Sequence, residues 1–134
     1  MPAPALFVDT NIVVYAFSDD LRSQKAQALL AASPVVSAQV LNEFANIARK
    51  KLAMSWREIR NALEDIRILA SDVVTLDDRL TIAALELADR YRFSFYDALV
   101  VAAALRAGCD RLYSEDMHDG LLVEKQLTIS NPFL

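Results

Sequence analysis

Short apolar runs alternate with helical segments along this chain, and this alternation is what most constrains its fold. The first run, Leu6-Phe7-Val8, contains no polar residue and leads directly into Asp9. Such a run is typical of a strand in a parallel sheet with both faces covered. Further runs predict strands at 34–37, 72–76, 111–114 and 127–129, and helices are predicted at 12–17, 23–32, 38–52, 56–70, 80–92 and 95–107. We therefore expect an α/β domain with a mainly parallel sheet and helices on both faces.

The length and the local signals fit one domain. The chain has 134 residues, of which 54% are hydrophobic, and contains no internal repeat or linker, so a single domain over 1–134 is expected. Ser55 is predicted to cap a helix with Glu58 as its capping-box partner. Gly108 is predicted to end the last helix.

Cysteine usage and the N-terminal segment indicate the compartment. The one cysteine, Cys109, excludes an intramolecular disulfide and is expected to be a buried small side chain, which favours the reducing cytoplasm. Residues 1–5 lack the basic and apolar regions of a signal peptide. The uncharged helical stretch at 98–105 is too short to span a bilayer, so no membrane association is expected.

Four acidic residues are placed where a sheet of this kind binds its ligands. Asp9 follows the first strand and Asp116 follows the strand at 111–114, while Glu43 and Asp97 lie beside apolar positions of helices. Ligands of open parallel sheets bind at the carboxyl ends of the strands. Each acid alone has a local explanation as a turn, helix-start or solvated residue. Together, they predict one convergent site.

Convergent carboxylates indicate a particular chemistry. Mg²⁺ and Mn²⁺ prefer oxygen ligands, and such a site can activate water and neutralise charge on a phosphodiester. One His and one Cys exclude a zinc cluster, and two glycines exclude a glycine-rich phosphate loop. A Ser-His-Asp triad would need His118, which is expected to be exposed in a polar loop.

The chain resembles the PIN-domain ribonucleases, and specifically the VapC-type toxins of bacterial toxin–antitoxin pairs. The resemblance is carried by the segments 7–16, 37–44, 94–104 and 112–117, in that order along nearly the whole chain. It implies a PIN-like three-layer sandwich and a Mg²⁺- or Mn²⁺-dependent endoribonuclease. It also implies RNA as substrate, a cognate antitoxin as partner, and a homodimer.

The resemblance assigns roles to individual residues. The catalytic and metal-binding acids that it implies are Asp9, Glu43, Asp97 and Asp116. Thr10, Asn11 and Ser114 are expected to hydrogen-bond to those carboxylates and orient them. Asp119 is a possible fifth acid.

The charge distribution bears on an RNA partner. The net charge is −4, from 14 Lys and Arg against 18 Asp and Glu, which by itself argues against nucleic acid. Without the four site acids the chain is formally neutral, and residues 49–67 carry +3. That segment is either the solvated face of two helices or a basic rim for the RNA backbone or an acidic partner.

Other functions remain open on the sequence alone. A phosphoryl-transfer domain is disfavoured because Asn11 stands where a dehalogenase-type loop needs an acid. A receiver domain is disfavoured because Asp19-Asp20 and Lys125 are poorly placed. A PIN nuclease that processes RNA without an antitoxin, or a catalytically silent RNA- or protein-binding module, are the remaining alternatives.

Overall fold

The computed structural model describes residues 5–134, in which six strands and six helices alternate. The strands are β1 (Leu6–Val8), β2 (Val35–Ser37), β3 (Asp72–Val74), β4 (Arg111–Tyr113), β5 (Leu122–Val123) and β6 (Leu127–Ser130). The helices are α1 (Thr10–Ala16), α2 (Ser23–Ala31), α3 (Ala38–Lys51), α4 (Trp56–Leu69), α5 (Asp78–Tyr91) and α6 (Phe95–Arg106). The expectation that residues 1–5 are not part of a signal peptide concerns mainly residues 1–4, which lie outside the described residues.

All six described strands form one sheet in the order β3-β2-β1-β4-β6-β5. Every neighbouring pair is parallel except β5 with β6. The helices form two groups, since α1 to α4 contact one another and α5 packs along α6. The predicted α/β architecture with a mainly parallel sheet and flanking helices is confirmed.

The core is built largely from apolar side chains of the strands. Phe7, Val36, Leu112 and Ile129 from four different strands are fully buried, as expected for a sheet covered on both faces. Helix α6 has seven consecutive buried residues from Ala98 to Ala104, so it is a central helix without a solvent face. In the part of the chain that the structure describes, no helix is long and apolar enough to cross a membrane.

Several local predictions are confirmed by the backbone. Ser55 and Glu58 form both hydrogen bonds of a capping box at the start of α4. Gly108 follows α6 with φ +75°, in the left-handed region that glycine adopts without strain. Cys109 is buried, and its burial raises the pKa of the thiol to about 11. His118 is exposed, as predicted.

Two predicted helix starts need correction, and one strand was not predicted. Helices α1 and α5 each begin two residues before the predicted start because Asp9 and Asp77 act as their N-caps. The strand expected within 72–76 is confirmed as β3, Asp72–Val74. Strand β5 was not predicted, since two residues inside a polar loop carry no periodicity.

Candidate metal centre

Asp9 occupies the junction between β1 and α1 at the carboxyl edge of the sheet. Its Oδ1 accepts a hydrogen bond from the Thr10 backbone N–H at 2.7 Å. Its Oδ2 accepts one from the Ser114 hydroxyl at 2.9 Å. The second bond forms because β1 and β4 are parallel neighbours with Val8 paired to Tyr113, so that the next residue of each strand lies side by side. Both carboxylate oxygens are thus fixed.

The environment of Asp9 disfavours its negative charge. Only 8% of the residue is exposed, and this burial is the main cause that raises the pKa of Asp9 to about 6. The hydrogen bonds from Thr10 and Ser114 oppose the rise, whereas the charges of Asp97 and Glu43 add to it. The structure therefore brings the carboxylates of Asp97 and Glu43 within electrostatic range of Asp9.

Glu43 is carried by α3 and connected to α6 through Gln39. The Gln39 side-chain Nε2 donates to Glu43 Oε1 at 2.7 Å and to the Tyr96 carbonyl oxygen at 3.2 Å. Gln39 is one helical turn before Glu43, where side chains of one helix meet. The amide bridges the Glu43 carboxylate and the backbone residue that precedes Asp97.

Asp97 lies in the first turn of α6, after the N-cap Ser94. The Ser94 hydroxyl accepts a hydrogen bond from the Asp97 backbone N–H at 3.3 Å. The local helix-start role considered for Asp97 is therefore present, and it places the carboxylate beside the other acids. The buried α6 behind it anchors this position.

Asp116 lies on the exposed loop after β4 and is held by two contacts of its own and by one contact of its neighbour. Its backbone N–H donates to the Ser114 hydroxyl oxygen at 3.3 Å, and its Oδ2 accepts from the Asn11 side-chain amide. The preceding residue, Glu115, forms an ion pair with Arg22 at 2.8 Å. The Ser114 hydroxyl therefore connects the Asp9 carboxylate to the Asp116 backbone, and Asn11 orients the Asp116 carboxylate.

Asp97 and Asp116 line the same cavity, which has a volume of about 350 Å³. Arg92, Ser94 and His118 are among its other lining residues. Asp119 lies outside this lining, and its carboxylate accepts a hydrogen bond from the Asn131 backbone N–H at 2.7 Å.

The buried polar atoms without partners lie next to the acids. Within residues 5–134, the buried side-chain atoms that lack a hydrogen bond are Thr10 Oγ1, Gln39 Oε1 and Glu115 Oε2. All three are oxygens, and each belongs to a residue adjacent to, or one helical turn from, a candidate acid. Buried polar atoms are normally satisfied, so Thr10 Oγ1 and Gln39 Oε1, which belong to residues near Asp9 and Glu43, are acceptors still open to a ligand or a water.

The donor set fits a hard divalent cation. The four acids, the orienting hydroxyls and the unsatisfied atoms supply oxygen, which is the ligand type that Mg²⁺ and Mn²⁺ prefer. Residues 5–134 contain no three Asp, Glu, His or Cys side chains already grouped closely enough to hold one ion. Two observations therefore support a divalent cation at this place. The candidate ligands are oxygen atoms, and the charges of Asp97 and Glu43 act on Asp9.

Two residues of this site were not predicted from the sequence. Gln39 was part of a matching segment but received no role, because its function depends on the approach of α3 to α6. Arg92 lines the cavity from the end of α5, with φ 65°. A non-glycine residue in the left-handed region is uncommon, yet no sequence signal marks it.

Fold and site together define a class: α/β domains with a buried aspartate at the carboxyl edge of a parallel sheet, within electrostatic range of further acids. The family model of the PIN domain matches residues 6–118. The chain therefore belongs to the PIN domain family, and the resemblance found in the sequence is confirmed.

Solved structures share this fold over most of their length. The Mycobacterium tuberculosis VapC20 structure, described as a sarcin-ricin-loop-cleaving toxin, is 25% identical with a TM-score of 0.65, covering 84% of this chain and 90% of that one. A toxin–antitoxin complex from Klebsiella pneumoniae is 18% identical with a TM-score of 0.72, covering 96% and 97%. VapBC2 from Rickettsia felis, bound to a DNA fragment from its promoter, is 17% identical with a TM-score of 0.65, covering 95% and 98%. No curated protein sequence matches the chain significantly.

Proposed function

We propose that this chain is a Mg²⁺- or Mn²⁺-dependent endoribonuclease that acts as the VapC-type toxin of a toxin–antitoxin pair. The observation that carries the proposal is the buried Asp9 carboxylate, fixed at both oxygens and within electrostatic range of Asp97 and Glu43. A cluster of like charges at a sheet edge is costly unless a cation compensates it. The family membership and the toxin structures of the same fold support this choice of activity.

The residues have distinct roles in this proposal. Asp9, Asp97 and Asp116 would hold the cation, and Glu43 would complete a second site or hydrogen-bond to water there. Thr10, Asn11 and Ser114 orient these carboxylates. When bound, the cation would polarise the phosphodiester and lower the pKa of the attacking water.

The partners follow from the same proposal. RNA is the substrate class, and the described fold is similar to those of a toxin–antitoxin complex and of VapBC2. We expect a cognate antitoxin to inhibit the chain and the protein to act in the cytoplasm, where its unpaired cysteine stays reduced. Exposed apolar side chains such as Ile82 and Leu85 on α5 are consistent with a homodimer, which sedimentation velocity would test.

The deciding experiment compares wild type with Asp97→Asn in Mg²⁺ and in EDTA. Wild type should cleave RNA only with Mg²⁺, and Mg²⁺ should raise its melting temperature by binding the folded state. Asp97→Asn should lose cleavage and most of that thermal gain. Asp89→Asn, on the exposed surface of α5, is the matched control and should behave as wild type.

Two outcomes would overturn the proposal. Undiminished Mg²⁺-dependent cleavage by Asp97→Asn would show that the metal site assigned to Asp97 and the other acids is wrong. Binding of RNA by wild type without any cleavage in Mg²⁺ or Mn²⁺ would identify a silent binding module instead. Mapping of RNA 5′ ends with and without co-expression of a candidate antitoxin would then separate a toxin from an RNA-processing nuclease.

A further inference from the structure

Gln39 is a buried side chain that links two of the candidate metal-binding acids, and nothing in its local helix requires it. It lies in the first turn of α3 and is 5% exposed. The helix N-cap is supplied separately by Ser37, whose hydroxyl accepts from the Val40 backbone N–H at 3.3 Å. The Gln39 side chain is therefore free of any capping duty.

The orientation of the Gln39 amide is determined by its neighbours. Both partners, Glu43 Oε1 at 2.7 Å and the Tyr96 carbonyl oxygen at 3.2 Å, can only accept hydrogen bonds. The NH₂ group must face them, and its two N–H bonds serve the two partners. The Gln39 Oε1 consequently points elsewhere and has no partner although it is buried.

This arrangement has a cost that the fold could avoid. A buried acceptor without a hydrogen bond destabilises a protein. A methionine of similar shape would fill the same space without that penalty. A side chain kept at a cost to stability is expected where it serves a function.

We propose that Gln39 is a positioning residue that fixes Glu43 relative to Asp97 for cation binding. One amide holds the carboxylate carried by α3 and the backbone carbonyl immediately before Asp97 on α6. The separation of two ligands carried by different helices is thereby set by a single side chain. Groups that orient metal ligands typically contribute about 10–100-fold to metal affinity or activity.

The inference rests on the proposed metal-dependent activity, so its test includes a measurement that does not depend on cleavage. Gln39→Met keeps the volume but cannot donate, and Gln39→Glu keeps the shape but presents acceptors to both partners. Gln24→Met makes the same chemical change at an exposed position of α2 and is the matched control. Each variant is assayed for its thermal shift with Mn²⁺ alone, and for kcat, KM and the Mg²⁺ dependence of RNA cleavage.

We expect Gln39→Met to fold with an unchanged or higher melting temperature in EDTA. Its Mn²⁺-induced thermal shift should fall by at least half. Its Mg²⁺ concentration for half-maximal cleavage should rise roughly 10-fold or more, while KM for RNA changes little. Gln39→Glu should show the same loss of metal response, and Gln24→Met should show none of these changes.

These measurements distinguish a failure of the role proposed for Gln39 from a failure of the proposed ribonuclease activity. A Gln39→Met protein with the wild-type Mn²⁺ shift overturns the role of Gln39, whether or not cleavage is observed. If wild type shows the Mn²⁺ shift but no cleavage, the proposed activity fails and the shift still tests Gln39. Equal losses of melting temperature in EDTA and of metal response would indicate a merely structural role and would also overturn the inference.

Discussion

The Ser114 hydroxyl donates to the Asp9 carboxylate at 2.9 Å although 105 residues separate them in the chain. The same oxygen accepts the Asp116 backbone N–H at 3.3 Å. Ser114 is fully buried and follows β4 directly, as Asp9 follows β1. Two adjacent parallel strands thus deliver a carboxylate and the hydroxyl that orients it to the same point.

Removal of this hydroxyl should weaken both stability and activity. Ser114→Ala leaves Asp9 Oδ2 without its donor, which should lower the free energy of unfolding by about 1–3 kcal/mol. Loss of an orienting group should reduce metal-dependent cleavage about 10–100-fold. Urea unfolding in EDTA and a cleavage assay in Mg²⁺ measure the two effects.

Ser114→Thr is the control because it keeps the hydroxyl. It should retain cleavage within a few-fold of wild type even if the added methyl group lowers stability. Equal activity of Ser114→Ala and wild type would show that the hydroxyl does not orient a functional carboxylate.

The raised pKa of Asp9 predicts an unusual pH dependence of stability. The pKa rises from 3.8 in the unfolded chain to about 6 in the folded protein, so the folded state binds the proton more tightly. The metal-free protein should therefore lose stability as pH rises from about 4 to about 6, by about 3 kcal/mol from this one group. Above that range the penalty persists until a cation offsets it.

Asp9→Asn isolates this contribution from the other titrating groups. Asparagine also caps helices well, so the variant should keep the start of α1 and exceed wild type in stability at pH 7.5 in EDTA. The difference in urea unfolding free energy should vanish near pH 4. A difference that does not vary with pH would contradict the assigned burial of the Asp9 charge.

The regular elements could largely be predicted because each has its own local signal. Uncharged runs such as Leu6–Val8 are typical of covered strands, and Ser55 with Glu58 marks a helix start. The errors occurred where a signal was absent or ambiguous. Asp77, for example, was not recognised in the sequence as an N-cap, although its carboxylate accepts a hydrogen bond from the Leu80 backbone N–H at 2.8 Å.

The proximity of Asp9 to the Ser114–Asp116 loop could also be predicted, because residues that follow the neighbouring parallel strands β1 and β4 meet at one edge of the sheet. Two other residues of the candidate site, Gln39 and Arg92, could not be predicted. The role of Gln39 depends on how closely α3 approaches the start of α6, and that of Arg92 depends on a left-handed backbone conformation. Such properties arise from tertiary packing rather than from the periodicity of the sequence.

The basic segment at the junction of α3 and α4 gives a prediction about RNA binding. Lys50 and Lys51 are exposed, and the nearby Arg49 guanidinium stacks 4.5 Å from the centre of the Trp56 ring. If this surface contacts RNA, Lys50→Glu with Lys51→Glu should weaken binding. The decrease of the logarithm of the RNA association constant with the logarithm of salt concentration should then become shallower, its slope falling in magnitude by about 1.4. Binding would be measured with single-stranded RNA in Ca²⁺ at several salt concentrations.

Lys25→Glu with Lys125→Glu makes the same charge change at exposed positions outside the segment. This control should leave the slope near the wild-type value. Wild-type slopes in both double variants would mean that residues 49–67 form only a solvated face, whereas equal reductions of the slope in both would indicate a non-specific effect of net charge.

Arg92 should show opposite effects on stability and activity. It ends α5 with φ 65° and lines the cavity that Asp97 and Asp116 share. The left-handed conformation costs a non-glycine residue roughly 1 kcal/mol, and glycine adopts it freely. Arg92→Gly should therefore raise or maintain the melting temperature. It should also weaken cleavage, because the positively charged arginine side chain beside the acids is no longer present to contact the RNA phosphates.

Ala53→Gly is the matched control, because Ala53 has φ 54° and lies outside the cavity lining. It should stabilise the protein similarly and leave cleavage unchanged, and Arg92→Lys should recover part of the activity through its charge. The loss in Arg92→Gly should fall mainly on KM, since a phosphate contact made before the reaction contributes to binding in both ground and transition states. If Arg92→Gly cleaves RNA with wild-type KM and kcat, the arginine serves only to end the helix, and its place in the cavity has no part in substrate recognition.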